Sequence, residues 1–581
     1  MSSVASWLYR SWPPAEPRWR KYDEAIPLVA ADLMLHGRKA AVDFLSFYPP
    51  LYYYLILAGF QSVGRSALVP TFFAAVMYVV FSIAVARFFW KSFPHLRPLA
   101  PCLIFPTVIA IGLFNYSAWP GYAVSFLSLI AYIRSRNGPL PDERWIAVAG
   151  LLAGLSTLIR FNFGPHVLFV ACADILVHEL ISETSIPATV RLRRSLAQVG
   201  IFVIPFTLTN VIFYAWIYGA DALAAPARMI KYSTGVMGVR AFNRLGVRLP
   251  VLICCLGFPY AWMGIRNVLY PGKLRSALIA GVGATLISTG LLAGRMPSIP
   301  LWFPALGFVS IIAVHRFVYR LTRPALCVLL FYVSLQHYFL TRADHDHAFV
   351  LYPVVAFSPI FLLEAPDAVE QTRIYLRKGP IFAVCLAVML FEMAFRDGFR
   401  PRVSLAATTL RTLNIGVLSP RMPDRQRLLL IDSGLSDEVR STEFVRQRTS
   451  PSDPIFIGVN DHSMPFVNHV RAYWLAERLP GVRYIHLDSG VMLDESVQQE
   501  IIAELQRNGV NWATLYNRSE DPDYDFLFQN LPPAPRALDN FLATQFREES
   551  RFGRFSVIRR IVRHTGGRST AEGREGTGPT R

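Results

Sequence analysis

The sequence predicts an α-helical polytopic membrane protein with about twelve transmembrane helices and a C-terminal extracytoplasmic α/β domain. Three observations carry this. Hydrophobic residues make up 53% of the 581 and charged residues 17%, with a mean hydropathy of +0.34, too apolar for an ordinary soluble chain. Apolar runs recur from residue 67 to 397, and about 20 helical residues suffice to cross about 30 Å of hydrocarbon. Beyond about 398 the pattern changes to short alternating strand and helix signals.

Candidate spans lie near 67–90, 99–115, 118–134, 145–160, 164–181, 197–217, 249–266, 276–293, 299–315, 324–340, 348–364 and 379–396. Positive loops stay cytoplasmic. Lys91 and Arg97, Arg134 with Arg136 and Arg144, Arg191 with Arg193 and Arg194, Arg266 with Lys273 and Arg275, Arg316 with Arg320 and Arg323, and Arg373 with Arg377 and Lys378 all fall in one phase. The opening stretch, the 218–248 loop, the turn at 342–347 and the region after 397 then face outward. The chain divides into a tail and first extracytoplasmic loop with interfacial helices (1–66), a transmembrane domain (67–397), an extracytoplasmic α/β domain (398–564) and a disordered tail rich in Gly, Thr and Arg (565–581).

The first 21 residues carry Arg10, Arg18, Arg20 and Lys21, hold no run long enough to span and show no cleavable signal. A basic tail of this kind does not cross a membrane readily. Either a preceding transmembrane helix is missing from this chain, or the chain inserts with its N-terminus outside.

The net charge of +18 argues for membrane lipids as partners and against nucleic acid, because the Lys and Arg residues sit in short loops where topology and anionic headgroups account for them. Cys102, Cys172, Cys254, Cys255, Cys327 and Cys385 fall inside apolar spans, so no disulfide framework or metal knuckle is indicated.

In the outer region, 453–459, 482–488 and 511–517 read as strands, 464–481 as an amphipathic helix ended by Pro-Gly, and 494–509 as a periodic helix with Gly509 at its end. Strand, helix, strand, helix, strand argues a largely parallel sheet. Residues 546–561 read as a closing hairpin turning near Gly553. Neither GxGxxG nor GxxxxGK[ST] occurs in the chain, so this region is read as a lid or acceptor-docking domain rather than a nucleotide site or second active site.

The chemistry concentrates in "KYDEAIPLVAADLMLHGRKAAVDFLSFYPPLYYYL", residues 21–55. After Asp23-Glu24, the apolar residues Ile26, Val29, Ala30 and Leu33 repeat at helical spacing and Gly37 supplies a stop. Such a segment lies in the interface and holds Asp23 and Glu24 at its N-terminus, where the helix dipole favours carboxylates. The alternative is that Asp23 only caps the helix. "YPPLYYYLILAGFQSVG" reads as a second interfacial segment with a tyrosine belt at headgroup depth.

An outward Asp-Glu, a short helix ending in Gly and then "DF…YPPLYYYL" ahead of many spans resembles the first extracytoplasmic loop of the GT-C fold glycosyltransferases. These include the dolichyl-phosphate-mannose protein mannosyltransferases and the bacterial lipid A aminoarabinose transferases. The resemblance implies a GT-C-like fold in the cytoplasmic (inner) membrane and inverting transfer of a hexose or pentose from a polyprenyl-phosphate-linked donor to a lipid, glycan or protein acceptor outside. Asp23 matches the loop-one acid and would be the general base, with Glu24 assisting. Tyr48, Arg160 and Arg342 would contact the donor phosphate, supported by Asp43, Asp344 and His347. Members of the fold often carry another acid in the next outward loop. Residues 113–124 have none, so either Asp43 or Asp344 would substitute or the enzyme would work without that acid.

The turn "LTRADHDHAFVLYP" (340–353) supplies Arg342, Asp344, His345, Asp346 and His347 at an outward junction, where ionisable residues are costly and tend to be functional. The plain alternative is a solvated turn whose charges cap helix ends. Asp23, Asp344 and His347 form a set able to ligate a divalent cation, Mg or Mn, without demanding one, and no cofactor is certain. Arg160 ends an outward span, where it either reaches a phosphate or snorkels to the interface. Lys231, Arg240 and Arg244 are further headgroup contacts. A transporter or lipid flippase and a non-catalytic membrane scaffold are the competing classes. The first would be expected to show an internal repeat, and none is visible.

Overall fold

The computed structural model describes residues 25–45, 48–66, 68–92, 118–136, 138, 140–181, 187–230, single residues between 324 and 335, 436–463, 468–487, 494–517 and 535–561. In chain order the first helices are α1 (Ala25–Leu35), α2 (Leu51–Val63), α3 (Leu68–Ser92), α4 (Ala118–Ser135), α5 (Glu143–Ile159), α6 (Gly164–Ile181) and α7 (Ala188–Tyr218). Helices α3 to α7 coincide with five of the expected spans, and helical residues between 324 and 335 fall in a sixth. The spans expected at 99–115, 249–266, 276–293, 299–315, 348–364 and 379–396 lie outside the described residues.

By length and hydropathy, one helix among the described residues, Thr189–Asp221, can cross a membrane unaided. It exposes Ile204, Leu208, Ile212 and Trp216, the last at 76%. Helix α3 likewise exposes Phe72, Val76, Val80 and Ile83. Apolar faces of this extent belong against lipid rather than water. The helix runs two turns further toward Arg191, Arg193 and Arg194 than the apolar pattern alone predicts. Pro205 interrupts its hydrogen-bond ladder. Near this break Thr209 Oγ1 donates to the Pro205 carbonyl and Asn210 Nδ2 to the Phe206 carbonyl, at 2.7 and 2.9 Å.

Small residues let α5 approach its neighbours. A Cβ at Gly150 would lie 2.1 Å from the Phe202 carbonyl oxygen of α7, and one at Gly154 would lie 2.9 Å from that of Phe206. Close backbone approach through small residues is how membrane helices associate when lipid is as apolar as the side chains. On the other side, Ser128 and Ser156 bridge α4 and α5 by donating to the carbonyls of Ala149 and Gly121 at 2.6 and 2.7 Å.

The C-terminal domain, the outer domain of the sequence reading, comprises α8 (Ser436–Arg448), β1 (Ile455–Val459), α9 (Arg471–Ala476), α10 (Glu495–Arg507), β2 (Trp512–Tyr516), α11 (Ala537–Gln545), β3 (Phe546–Phe552) and β4 (Phe555–Arg560). The strand order is β1-β2-β4-β3. Only β1 and β2 are parallel, and the hairpin adds two antiparallel pairings, so the sheet is mixed rather than largely parallel. Gly553 turns that hairpin at φ +52°.

Two further expectations need correction. Residues 482–488 do not form a strand among the described residues. Asn468 intervenes, its amide donating to the carbonyls of Ile457 and Ile485 while its oxygen accepts the Leu487 N–H. Side-chain bonds thus replace a ladder there, and Tyr484 instead bridges to Leu45 of the first loop. Of the expected helix over 464–481, residues 464–467 lie outside the described residues, and the remainder is helical over Arg471–Ala476, ending early because Glu477 turns left-handed at φ +54°.

Helix α1 is not a half-exposed interfacial helix. Nine of its eleven residues are buried, against α2 and against the outer domain in one core that includes Tyr52, Tyr53, Phe60, Tyr473, Trp474 and Ile485. Tyr52 and Tyr53 are 1% and 0% exposed, so they build this core and form no headgroup belt. Residues 25–66 and 436–561 therefore fold together.

Inside the outer domain, Glu438 is buried with Arg471 at 2.6 Å and His469 at 3.5 Å. Burial raises the Glu438 carboxyl, but Arg471 and His469 outweigh it and hold it far below its ordinary 4.5. A depressed carboxyl contributes stability that is present above 4.5 and lost as pH falls below it. Glu438→Gln, which removes this titration and the stability that goes with it, should therefore unfold at higher pH than wild type in an acid titration of the outer domain followed by tryptophan fluorescence. Glu438→Ala, which strands Arg471, should cost about 3–5 kcal/mol. In the membrane half, Gly150→Leu should destabilise the α5–α7 crossing by about 1–3 kcal/mol or more, read as loss of monodisperse protein in detergent.

Candidate active site

The first loop leaves α1 through Gly37, at φ +81°, and makes a tight turn over residues 39–44. The Lys39 N–H donates to Asp43 Oδ2 at 2.7 Å, and the Asp43 N–H donates back to the Lys39 carbonyl at 2.8 Å. Ala41 sits in the left-handed region at φ +64°, its small side chain buried. Asp43 is exposed and closes the turn. The Leu45 N–H then donates to the Arg483 carbonyl at 2.8 Å, tying the loop to the outer domain.

Tyr48 follows, and Pro50 starts α2, its fixed φ suiting a helix entry. The ring of Tyr48 lies 4.3 Å from the guanidinium carbon of Arg160. Arg160 caps the C-terminus of α5 in extended conformation, its N–H donating to the Ser156 carbonyl at 2.8 Å. A cation is favoured there by the helix dipole and by the ring face. Gly121 of α4 is what makes room, since a Cβ at that position would lie 2.8 Å from the Arg160 Cβ.

Arg160 is only 6% exposed. It is held in the protein against the first loop. Beside it, Ala41 and Leu158 pack with Tyr214 and Tyr218 of α7, whose rings stack at 5.9 Å.

Of the residues singled out in the sequence, the structure brings Tyr48 and Arg160 together and places Asp43 in the loop that carries Tyr48. Asp23, Glu24, Arg342, Asp344 and His347 lie outside the described residues, as do Lys231, Arg240 and Arg244. Helix α1 begins at Ala25, the residue after Glu24. Among the described residues no group of three or more His, Cys, Asp or Glu is placed to hold a metal ion.

The sequence reading missed Asp32, Arg65 and Trp474. Arg65 donates to both carboxylate oxygens of Asp32, at 2.7 and 2.8 Å, and lies over Trp474. A lone acid inside the apolar stretch "AIPLVAADLML" was the available signal.

One pair in the outer domain has the composition of a catalytic dyad without its availability. His462 Nδ1 lies 2.7 Å from Asp539 Oδ1, while Nε2 accepts the Val459 N–H at 3.2 Å. Both ring nitrogens are occupied in holding the end of β1, which leaves neither for proton transfer.

No family model matches the chain, and no curated protein matches it. Two solved structures are similar, both of ArnT from Cupriavidus metallidurans. One, bound to undecaprenyl phosphate, has 13% identity and a TM-score of 0.41, over 96% of this chain and 97% of that one. The other, in the apo state, has 12% identity and a TM-score of 0.39, over 96% of each chain.

Among the described residues, the hydroxyls of Tyr214 and Tyr218 are buried with no hydrogen-bond partner. A buried unsatisfied hydroxyl costs about 1–3 kcal/mol. Tyr214→Phe should accordingly keep or raise thermal stability in nanodiscs. A fall in melting temperature would show that the hydroxyl is bonded in the membrane-embedded protein.

Proposed function

We propose that the protein is an integral membrane glycosyltransferase of GT-C type, which transfers a sugar from a polyprenyl-phosphate-linked donor to an extracytoplasmic acceptor with inversion. The observation that carries this is the buried Arg160–Tyr48 pair, which joins the loop bearing the Asp-Glu motif to the C-terminal end of α5, an end that faces outward in this reading. A lipid-linked phosphate lies at that depth, and a phosphate leaving group needs fixed positive charge rather than a proton.

In this reading the acceptor hydroxyl attacks the anomeric carbon, the bond from that carbon to the phosphate oxygen breaks, and Asp23 takes the hydroxyl proton. Glu24 orients Asp23 or the acceptor. Arg160 and Arg342 carry the charge of the departing polyprenyl phosphate, and Tyr48 holds Arg160 in place. Asp344 and His347 contact the sugar or, with Asp23, ligate a divalent cation. The acceptor is a lipid, glycan or protein, and the site and the outer domain face away from the cytoplasm.

The test is transfer from a panel of polyprenyl-phosphate-linked hexoses and pentoses by purified protein in nanodiscs. Asp23→Asn should lower kcat by about 10²–10⁴-fold with the fold intact. Arg160→Gln should lower it less. Full activity in Asp23→Asn would remove the base, and absence of turnover with every donor would favour the transporter or scaffold classes.

A further inference from the structure

Asp32, Arg65 and Trp474 come from three separate stretches: the middle of α1, the residue after the Gly64 cap of α2, and α9 of the outer domain. The Arg65 guanidinium uses its edge on Asp32, with bonds of 2.7 and 2.8 Å. Its flat face lies on the indole of Trp474, 3.7 Å from the ring centroid. Phe60 of α2 packs on the same indole at 5.7 Å. Asp32 and Trp474 are 7% and 4% exposed and the Arg65 side chain 29%, so the contacts are partly shielded from water and from salt. Only a planar, forked cation can satisfy a carboxylate and an aromatic face together, and lysine cannot replace it.

We infer that Asp32, Arg65 and Trp474 form a clamp by which the outer domain fixes the rotation and axial position of α1, and through it the Asp23-Glu24 pair at its N-terminal side. They are positioning residues, and their catalytic consequence rests on the reading of Asp23 as base. The rest of α1 is apolar, and apolar contact is non-directional. A slip of one residue along such a helix moves it about 1.5 Å and turns it about 100° at little cost in buried area. The two-pronged bond to Asp32 is the contact in α1 that penalises such a slip. A displacement of about 1 Å at a reacting group costs about 10²-fold in rate.

The test uses full-length protein in nanodiscs, comparing wild type with Arg65→Gln, Trp474→Leu, the double variant and Trp474→Phe. Hydrogen exchange over residues 25–35 and transfer from the same donor panel are both measured. Exchange over 25–35 should quicken in Arg65→Gln and Trp474→Leu while β1 and β2 stay protected. Turnover should fall about ten- to a hundredfold with KM for the donor unchanged. The double variant should be no worse than the more affected single one, because both break one unit. Trp474→Phe, which keeps an aromatic face, should remain near wild type. Unchanged exchange over 25–35, or single effects that multiply in the double variant, would overturn the clamp. If wild type turns over no donor, the exchange data alone decide the clamp, and only the glycosyltransfer reading falls.

Discussion

Helix α1 must be covered on every side. Its eleven residues include one charge, Asp32, so no face of it can be left to water without exposing apolar surface worth about 25 cal/mol per Å². Neither α2 nor the outer domain covers it alone. One core therefore contains Ala25 and Tyr53 from the start of the chain with Tyr473 and Val557 from near its end. The first loop cannot complete its packing until the outer domain has been made. That gives the fold a large share of long-range contacts, which are slow to form.

The same demand explains what surrounds Arg160. A guanidinium buried at the end of a membrane helix needs charge compensation from fixed dipoles, and the structure supplies the α5 C-terminus and the face of Tyr48. Tyr48 can be there only because Leu45 is tied to Arg483 and the turn at Ala41 sits on Leu158. The outer domain thus bears on Arg160 through the first loop, with no direct contact needed.

Periodicity and hydropathy were enough to read five helices of the membrane half, β1, β2, α10 and the hairpin at Gly553, because each is specified by its own residues. What failed were features set by partners distant in sequence. Residues 482–488 have strand composition, but Asn468 and Leu45 take the positions that a ladder would use. The tyrosines at 52 and 53 have the composition of an interfacial belt, yet a second domain covers them. In the site, Arg160 and Tyr48 were legible as separate residues. Their contact was not, since about 110 residues and four described helices separate them. Asp32 was overlooked because its partner Arg65 looks like an ordinary loop cation.

Burial and bonding also sort the acids of the first loop. Residues 21–66 contain four: Asp23, Glu24, Asp32 and Asp43. Asp32 commits both carboxylate oxygens to Arg65, and Asp43 commits one to the Lys39 amide in closing an exposed turn. Asp32 therefore has no oxygen left to direct at a substrate proton, as a general base needs. The Asp23-Glu24 pair remains, immediately ahead of a helix whose position is set by Asp32 nine residues later. An architecture that spends one acid on fixing that helix and another on turning the loop after it has reason to do so if the acids in front of the helix must be held to within about 1 Å.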